Sequence, residues 1–439
     1  MKCINCGTGN NLKDRTANYG KCSKCGHAFV FEPTSMGTTK LTDPMFAKVI
    51  SDISVNNTLF FTPKQMFYLL DSRFRKKAFV NSGFGCTYIF FNVWITGFFG
   101  GIGTIFVAAF GLNTIYAPIM ANLIYQIATI RYLVKNTNSP KLSNAGRKDS
   151  AKLLIFVGGF ILVAGIFISA SVLSSFPLFV IVVLLGMFSI YKGFVLQNQT
   201  TIAQEFIIGE SACQDWLNRW QGVNGNIQKL LPAPQNLNNQ TTSINPDVTA
   251  YSFDRLIVCD SADIAQFLIA NNFHFENNCA ILSVTGYPES IFQTTMDMLR
   301  RNPELKVYVL HNCTPRGLGL INRLRTSSNW FQNSNFTIID IGITPRQAIG
   351  AKKNIFIETS PQSASEASQL PSEIRNNLSP DELQWLQAGN FVNLESFRPQ
   401  QLIQIIQRGI ANTLNLESDS GLLIASSSDI YIYSTQSFG

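Results

Sequence analysis

Polar and apolar positions are sharply segregated along this chain. From residue 78 to residue 130 no side chain carries a charge, and none does from 153 to 191. About 20 apolar residues cross a hydrocarbon core of about 30 Å. Each stretch therefore has room for two spans, placed at 84–110, 114–134, 153–174 and 176–196 with Ser174-Ser175-Phe176-Pro177 as the last turn. The second is the least oily, because Pro118, Asn122 and Gln126 interrupt it. The alternative, helices buried in a large soluble core, conflicts with the lack of any polar face. Gly97 and Gly101 form a GxxxG pair suited to close helix packing, which predicts a homo-oligomer.

Outside this transmembrane region (84–196, four helices) the periodicity changes. Residues 41–77 read as a helical juxtamembrane segment of two short helices. One starts at Thr42-Asp43-Pro44, the other at Thr62-Pro63-Lys64-Gln65, where Thr62 and Gln65 make a capping box. Residues 197–231 read as a partly amphipathic juxtamembrane helix with Trp216 and Trp220 four apart, and 232–251 has the Pro/Asn/Gln/Thr composition of a linker. From 252 to 410, strands at 255–259, 280–285, 306–310 and 337–341 alternate with helices at 264–271, 290–300 and 317–325. This alternation predicts a parallel α/β sheet. A polar interruption at 360–370 leads to helices begun by the capping box Ser379-Pro380-Asp381-Glu382 and by Pro399. Residues 411–439 read as a tail or strands, and no internal repeat is found.

Charge gives the orientation. Only 14% of residues are charged, against about 25% in soluble domains. Residues 71–152 nevertheless hold ten Lys/Arg against two Asp, a net of +8 in a chain whose total is +7. Arg73, Arg75, Lys76 and Lys77 precede the first span, and Arg131 at the end of the second is followed by Lys135, Lys141, Arg147, Lys148 and Lys152 before the third. The other two connections are uncharged, so the positive-inside rule predicts an integral, multi-pass protein with both termini cytosolic. The basic balance is then spent on topology and the headgroups of the lipid bilayer, and is no nucleic-acid footprint. Cysteine-rich sequence from residue 3 argues against a cleavable signal peptide.

That cysteine module, residues 1–31, carries Cys3-Ile-Asn-Cys6 and Cys22-Ser-Lys-Cys25 separated by fifteen residues. Four thiolates satisfy tetrahedral Zn²⁺, the spacing is that of a zinc ribbon, and Gly7 and Gly26 follow each pair where the turn needs a permissive backbone. Disulfide pairing is the competing reading, disfavoured at a cytosolic end. With all four positions taken by protein the zinc is structural, and His27 is a bystander. Lys2, Lys13, Arg15, Lys21 and Lys24 against Asp14 favour an anionic partner. Cys86, Cys213, Cys259, Cys279 and Cys313 are scattered and read as small apolar residues.

In the C-terminal region, Leu256-Ile-Val-Cys-Asp260 is a strand ending in an acid, followed by a helix. Gly286-Tyr287-Pro288 comes next, then the strand 307–310 and the turn His311-Asn312-Cys313-Thr314-Pro315-Arg316-Gly317, with Ile341-Gly342-Ile343-Thr344-Pro345 later. In order and spacing this resembles the Toprim domain, in the version carried by the A subunit of topoisomerase VI and its meiotic strand-break relatives, over roughly 253–410. The family's DNA-cleaving tyrosine domain has no counterpart here. The resemblance implies a Rossmannoid fold and a Mg²⁺ site of three carboxylates. Those positions are here Asp260, Asn312 and Thr314. One formal charge holds Mg²⁺ poorly, so the resemblance implies a pseudoenzyme. The competing reading is an ordinary Rossmann-like sheet, whose strand ends also bind ligands. Arg316, Arg323 and Arg325 follow the turn and either hold a phosphate or form a solvated helix face. Residues 251–439 hold thirteen Lys/Arg against seventeen Asp/Glu, which argues against extensive DNA contact.

The functional expectation is a membrane-anchored, cytosol-facing binding or sensing protein that engages a nucleotide, nucleic acid or protein partner. Two alternatives remain open. One is a membrane-bound metal-dependent nuclease or phosphotransfer enzyme using Asp260. The other is a channel or transporter, disfavoured because the stretches 78–130 and 153–191 that supply the spans hold no Asp, Glu, Lys, Arg or His.

Overall fold

The computed structural model describes residues 1–37, 39–78, 84–111, 113–140, 142, 144–198, 203–234, 253–302, 304–332, 336–350 and 355–412. Most of the expected linker at 232–251 and nearly all of the expected tail at 411–439 lie outside these residues. The chain divides into two compact units, 75–205 and the rest.

The N-terminal residues form two small knuckles and three helices: α1 (Leu12–Ala17), α2 (Asp43–Ile53) and α3 (Pro63–Ala78). The cap predicted for α3 is present: Gln65 N–H donates to Thr62 Oγ1 at 3.1 Å, and Thr62 N–H donates to Gln65 Oε1 at 3.0 Å. Asp43, fully buried, accepts the N–H groups of Val30 and Phe31 at 3.0 Å each and ties the knuckles to α2.

The 75–205 unit is a bundle of four antiparallel-connected helices, α4 (Phe84–Ala109), α5 (Tyr116–Thr137), α6 (Asn144–Phe167) and α7 (Phe176–Asn198). A π-helical turn, Ile168–Val172, ends α6. Among the described residues, three helical stretches, Phe84–Ala109, Gly146–Ser171 and Phe176–Gln197, are long and apolar enough to cross a membrane. The second expected span is a helix of 22 residues that falls short of them in hydropathy. Its polar residues face α4: Asn122 Nδ2 donates to Asn92 Oδ1 at 3.0 Å and to Thr96 Oγ1 at 2.7 Å. Glycine contacts bring the helices close. A Cβ on Gly100 would stand 2.6 Å from Pro118, and one on Gly165 would stand 2.4 Å from Val182. Gly97 and Gly101, by contrast, meet nothing of their own chain within 4 Å. At one end of the bundle Arg75 bonds the carbonyls of Pro140 (3.3 Å) and Glu205, while Arg147 Nε bonds Ser139 O at 2.9 Å. The entry to α4, the α5–α6 connection and the exit from α7 therefore lie together.

After the bundle, α8 (Glu210–Asn224) is shorter than the helix expected over 197–231. Trp216 and Trp220 are buried with Phe31, Phe46, Phe67 and Leu70 in one core shared by the knuckles, α2, α3 and α8. Asp71 accepts Ile207 N–H at 2.7 Å, and the Phe67 and Phe206 rings lie 4.5 Å apart. The two tryptophans are buried because apolar faces from both sides of the bundle sequence meet here.

The C-terminal part opens with β1 (Arg255–Cys259), α9 (Ala262–Ala270), α10 (Phe273–Glu276), β2 (Cys279–Ser283), α11 (Glu289–Arg301) and β3 (Lys306–Leu310). Then follow α12 (Pro315–Leu318), α13 (Leu320–Thr326), β4 (Ile338–Asp340) and α14 (Pro345–Gly350). The four strands make a parallel sheet in the order β2-β1-β3-β4, with Val258 beside Leu282 and Val309. Near-continuous burial of β1 and β3 is what helices on both faces impose. Next come β5 (Glu358–Thr359), α15 (Pro361–Ser368), α16 (Ser372–Asn376), α17 (Pro380–Gln387), β6 (Asn390–Phe391) and α18 (Pro399–Asn412), with β5 and β6 antiparallel. The stretch read as a polar interruption at 360–370 is helix α15. Ser360 caps it, accepting Ser363 N–H at 3.0 Å, and only Ser363 and Ala367 are buried, too few to make a periodic signal.

Candidate functional site

The cysteine cluster is built by two similar knuckles. Gly7 N–H bonds Cys3 O at 2.9 Å and Gly26 N–H bonds Cys22 O at 3.0 Å, with both glycines in the left-handed region (φ 72° and 70°). Sulfurs at the corners of a ZnS₄ tetrahedron with 2.3 Å bonds stand about 3.8 Å apart. Here Cys3 Sγ lies 3.7 Å from Cys25 Sγ and Cys6 Sγ lies 3.6 Å from Cys22 Sγ, and all four fall within 4.8 Å of one another. The N–H groups of Cys25 and Lys24 bring the Cys22 thiol down to about 6, which favours the thiolate a metal needs. Asn10, buried, reaches Cys22 Sγ at 3.5 Å and holds Ser23 N–H at 2.9 Å. The four cysteines are thus compatible with a metal such as zinc, and His27 stands outside the cluster. Of the basic residues nearby, Arg15 is spent on a two-pronged bond to Glu32 (2.7 and 2.9 Å), which holds that carboxyl down to about 2. Lys2, Lys13, Lys21 and Lys24 remain exposed.

The second site lies at the carboxyl ends of β1 and β3. The chain runs from β1 outward to β2 and then crosses to β3 on the other side, so these two strands flank the switch point where open α/β sheets bind ligands. Asp260 directly follows β1, and its Oδ2 accepts Asn312 N–H at 2.6 Å. Its Oδ1 is buried with no hydrogen-bond partner, and burial raises the carboxyl above its ordinary value. The Asn312 side chain points elsewhere, its Oδ1 accepting Leu394 N–H at 2.6 Å. Thr314 caps α12 by accepting Gly317 N–H at 3.0 Å. Beside them, His311 is fully buried between Asn312 O (Nδ1, 2.8 Å) and Asp340 (Nε2 to Oδ1, 3.1 Å). Burial opposes the charge on His311, but the Asp340 carboxylate outweighs it and raises the imidazole. Asp340 is lowered in turn. Both ring nitrogens face acceptors, an arrangement that favours the imidazolium.

The residues of α3 complete this end of the sheet. Lys64 Nζ lies 3.3 Å from Glu395, which also accepts Thr62 Oγ1 at 3.1 Å. The Tyr68 hydroxyl bonds Glu358, and Asn393 Nδ2 donates to Glu358 at 2.6 Å. Burial raises both Glu358 and Glu395. Asp340, Glu358 and Glu395 were not singled out in the sequence. Asp340 carries the same signal as Asp260, an acid closing an apolar strand, whereas the two glutamates gave none. The arginines spread apart. Arg316 pairs with Glu366 at 2.7 Å, Arg323 donates to Arg316 O at 2.9 Å, and both line an open hollow of about 340 Å³ that Arg325 does not join.

Compared with protein families and with curated proteins, the chain matches no family model and no curated sequence.

Proposed function

We propose that this chain is a membrane-anchored binding or sensing protein facing the cytosol, with structural Zn²⁺ in its cysteine module and a Toprim-like domain that no longer catalyses. One observation carries the loss of catalysis. Two of the three positions at which the resemblance expects carboxylates are neutral and committed to the protein's own backbone, Asn312 to Leu394 and Thr314 to Gly317. The third, Asp260, accepts Asn312 N–H. Lys64, from outside the sheet, brings a fixed positive charge that acts on Asp260, Glu358 and Glu395. A lysine serves this role without supplying the Lewis acidity that phosphoryl transfer draws from Mg²⁺.

Four membrane passes and a shared side for both termini are supported by parity. Residues before the bundle (Phe67, Asp71) pack on residues after it (Phe206, Ile207), which an odd number of crossings forbids. The basic residues flank that same end, the cytosolic one by the positive-inside rule. The unpartnered Gly97–Gly101 pair supports self-association through α4.

The purified full chain should carry one zinc per protomer by elemental analysis, and Cys22→Ser should lose it. It should bind nucleotide, oligonucleotide or a cytosolic protein without turnover. A metal-dependent cleavage that disappears in Asp260→Ala would establish the enzymatic reading instead, which the orphaned Asp260 Oδ1 favours. Zinc-free protein with an unchanged melting profile would sink the metal assignment.

A further inference from the structure

The two cysteine knuckles are built alike. In each, a lysine precedes the first cysteine and a glycine follows the second, as Lys2-Cys3-Ile4-Asn5-Cys6-Gly7 and Lys21-Cys22-Ser23-Lys24-Cys25-Gly26. Cys3 N–H bonds Thr8 O at 2.9 Å, and Cys22 N–H bonds His27 O at 2.8 Å. Antiparallel bridges, Lys2 with Gly9 and Lys21 with Ala28, close both at the same place. The likeness ends seven residues after the first cysteine, where the first knuckle has Asn10 and the second has Phe29.

Asn10 is 1% exposed, and its carboxamide uses all four of its hydrogen-bonding positions. Its Oδ1 accepts the Ser23 N–H at 2.9 Å and the Ser23 hydroxyl at 3.0 Å. Its Nδ2 donates to Thr8 O at 2.9 Å and to Cys22 Sγ at 3.5 Å. The backbone is held as well, its N–H on Met1 O and its carbonyl on Arg15 Nη1, each at 2.8 Å. One side chain of the first knuckle thus grips the second through protein groups alone. Ordering two separate turns around an ion costs conformational entropy, and a clamp that joins them beforehand removes part of that cost from metal binding. Charge adds a second effect, because four thiolates outweigh the two charges of Zn²⁺. Excess negative charge away from water needs donors. Cys22, 3% exposed, takes one from Asn10, whereas Cys25 is open to solvent. The structure assigns to Asn10 the part of positioning residue for the metal cluster, joining the two knuckles and offsetting charge on the Cys22 sulfur. This rests on the zinc reading and deepens it.

The test uses the full chain in detergent, with zinc affinity read by competition against a chromogenic chelator and sulfur chemistry read after loading with Co²⁺. Asn10→Leu should weaken zinc by about 10–100-fold, the usual effect of losing a partner that orients a ligand. It should also move the sulfur-to-cobalt charge-transfer band to lower energy, because a thiolate without its donor gives up electron density more readily. A merely structural clamp would leave that band in place at saturating cobalt. Asn10→Asp keeps an oxygen for Ser23 but turns an acceptor toward Cys22, and should weaken zinc at least as much. A cobalt spectrum of four tetrahedral thiolates at saturation establishes that each variant still forms its knuckles. Affinity equal to the parent's in Asn10→Leu, or an unmoved band, overturns the assignment, and parent-like affinity in Asn10→Asp overturns the bond to sulfur. A parent chain that takes up no zinc would instead overturn the zinc reading, and the part of Asn10 with it.

Discussion

His311 shows how much a single buried side chain settles at this sheet end. Asp340 favours its charged form, and two glycines make room for its ring: a Cβ on Gly342 would stand 2.5 Å from the imidazole, and one on Gly317 would stand 3.0 Å from His311 Nδ1. Gly342→Ala should therefore push the ring off Asp340 and cost about 1–3 kcal/mol, as overpacking does, measured as a lower melting midpoint in detergent. The pair also sets a pH dependence. The raised His311 contributes stability that is complete below the ordinary histidine value near ~6.5 and is lost as pH rises through its folded value. The lowered Asp340 contributes stability that is complete above ~3.9 and is lost as pH falls through its folded value. Glu358 and Glu395, raised by burial, add stability as pH falls through their folded values. The sum places the optimum at mildly acidic pH. Asp340→Asn should move the alkaline loss to lower pH, and a melting profile flat from pH 6 to 8 in the parent protein would contradict this account. Asp260 was legible in the sequence as a candidate site residue, and His311 stood only as the first residue of the turn after the strand 307–310. Their partners were not legible, because a hydrogen bond across 29 residues to Asp340, or across 82 from Asn312 to Leu394, leaves no local pattern.

At the scale of elements, α3 and α8 decide the most. Each is amphipathic and reads on its own as a juxtamembrane helix. Together they enclose Phe31 and Phe46 of the N-terminal part, with Trp220 4.9 Å from Phe46 and stacked at 6.2 Å on Phe31. Trp220→Ala should cost about 3–5 kcal/mol and make the 32–40 segment sensitive to protease while the zinc module keeps its metal. Unchanged proteolysis would show that the knuckles dock by other contacts. The first turns of α3 also pack on the carboxyl end of the sheet through Lys64–Glu395 and Tyr68–Glu358. Lys64→Met should raise Glu395 and Glu358 further and loosen the turn that packs on Asp260, read as faster amide exchange at Asn312 and Leu394. The boundaries of regular elements were readable where caps exist, as at Thr62 and Ser379. They were missed at α15, whose polar sequence is helical because Ser360 caps it and its neighbours pack on it.

For the whole molecule, under the proposed membrane reading, parity is the governing constraint. A glycosylation tag inserted at 111–114 or at 174–175 should be modified in microsomes, and tags at either terminus should not. A modified C-terminal tag alone would mean three crossings and would break the packing of Phe67 on Phe206. By itself the sequence determined the apolar block, the cysteine pairs and the alternation of strands and helices, because hydrophobicity, ligand spacing and periodicity are local and additive along a chain. Only the tertiary structure decided that α5 buries its amides against α4, that the segments on either side of the bundle share one core, and that Asn312 and Thr314 are committed to the backbone. Those outcomes depend on which faces meet, and that is fixed by packing and by satisfying buried polar groups between residues far apart in the chain.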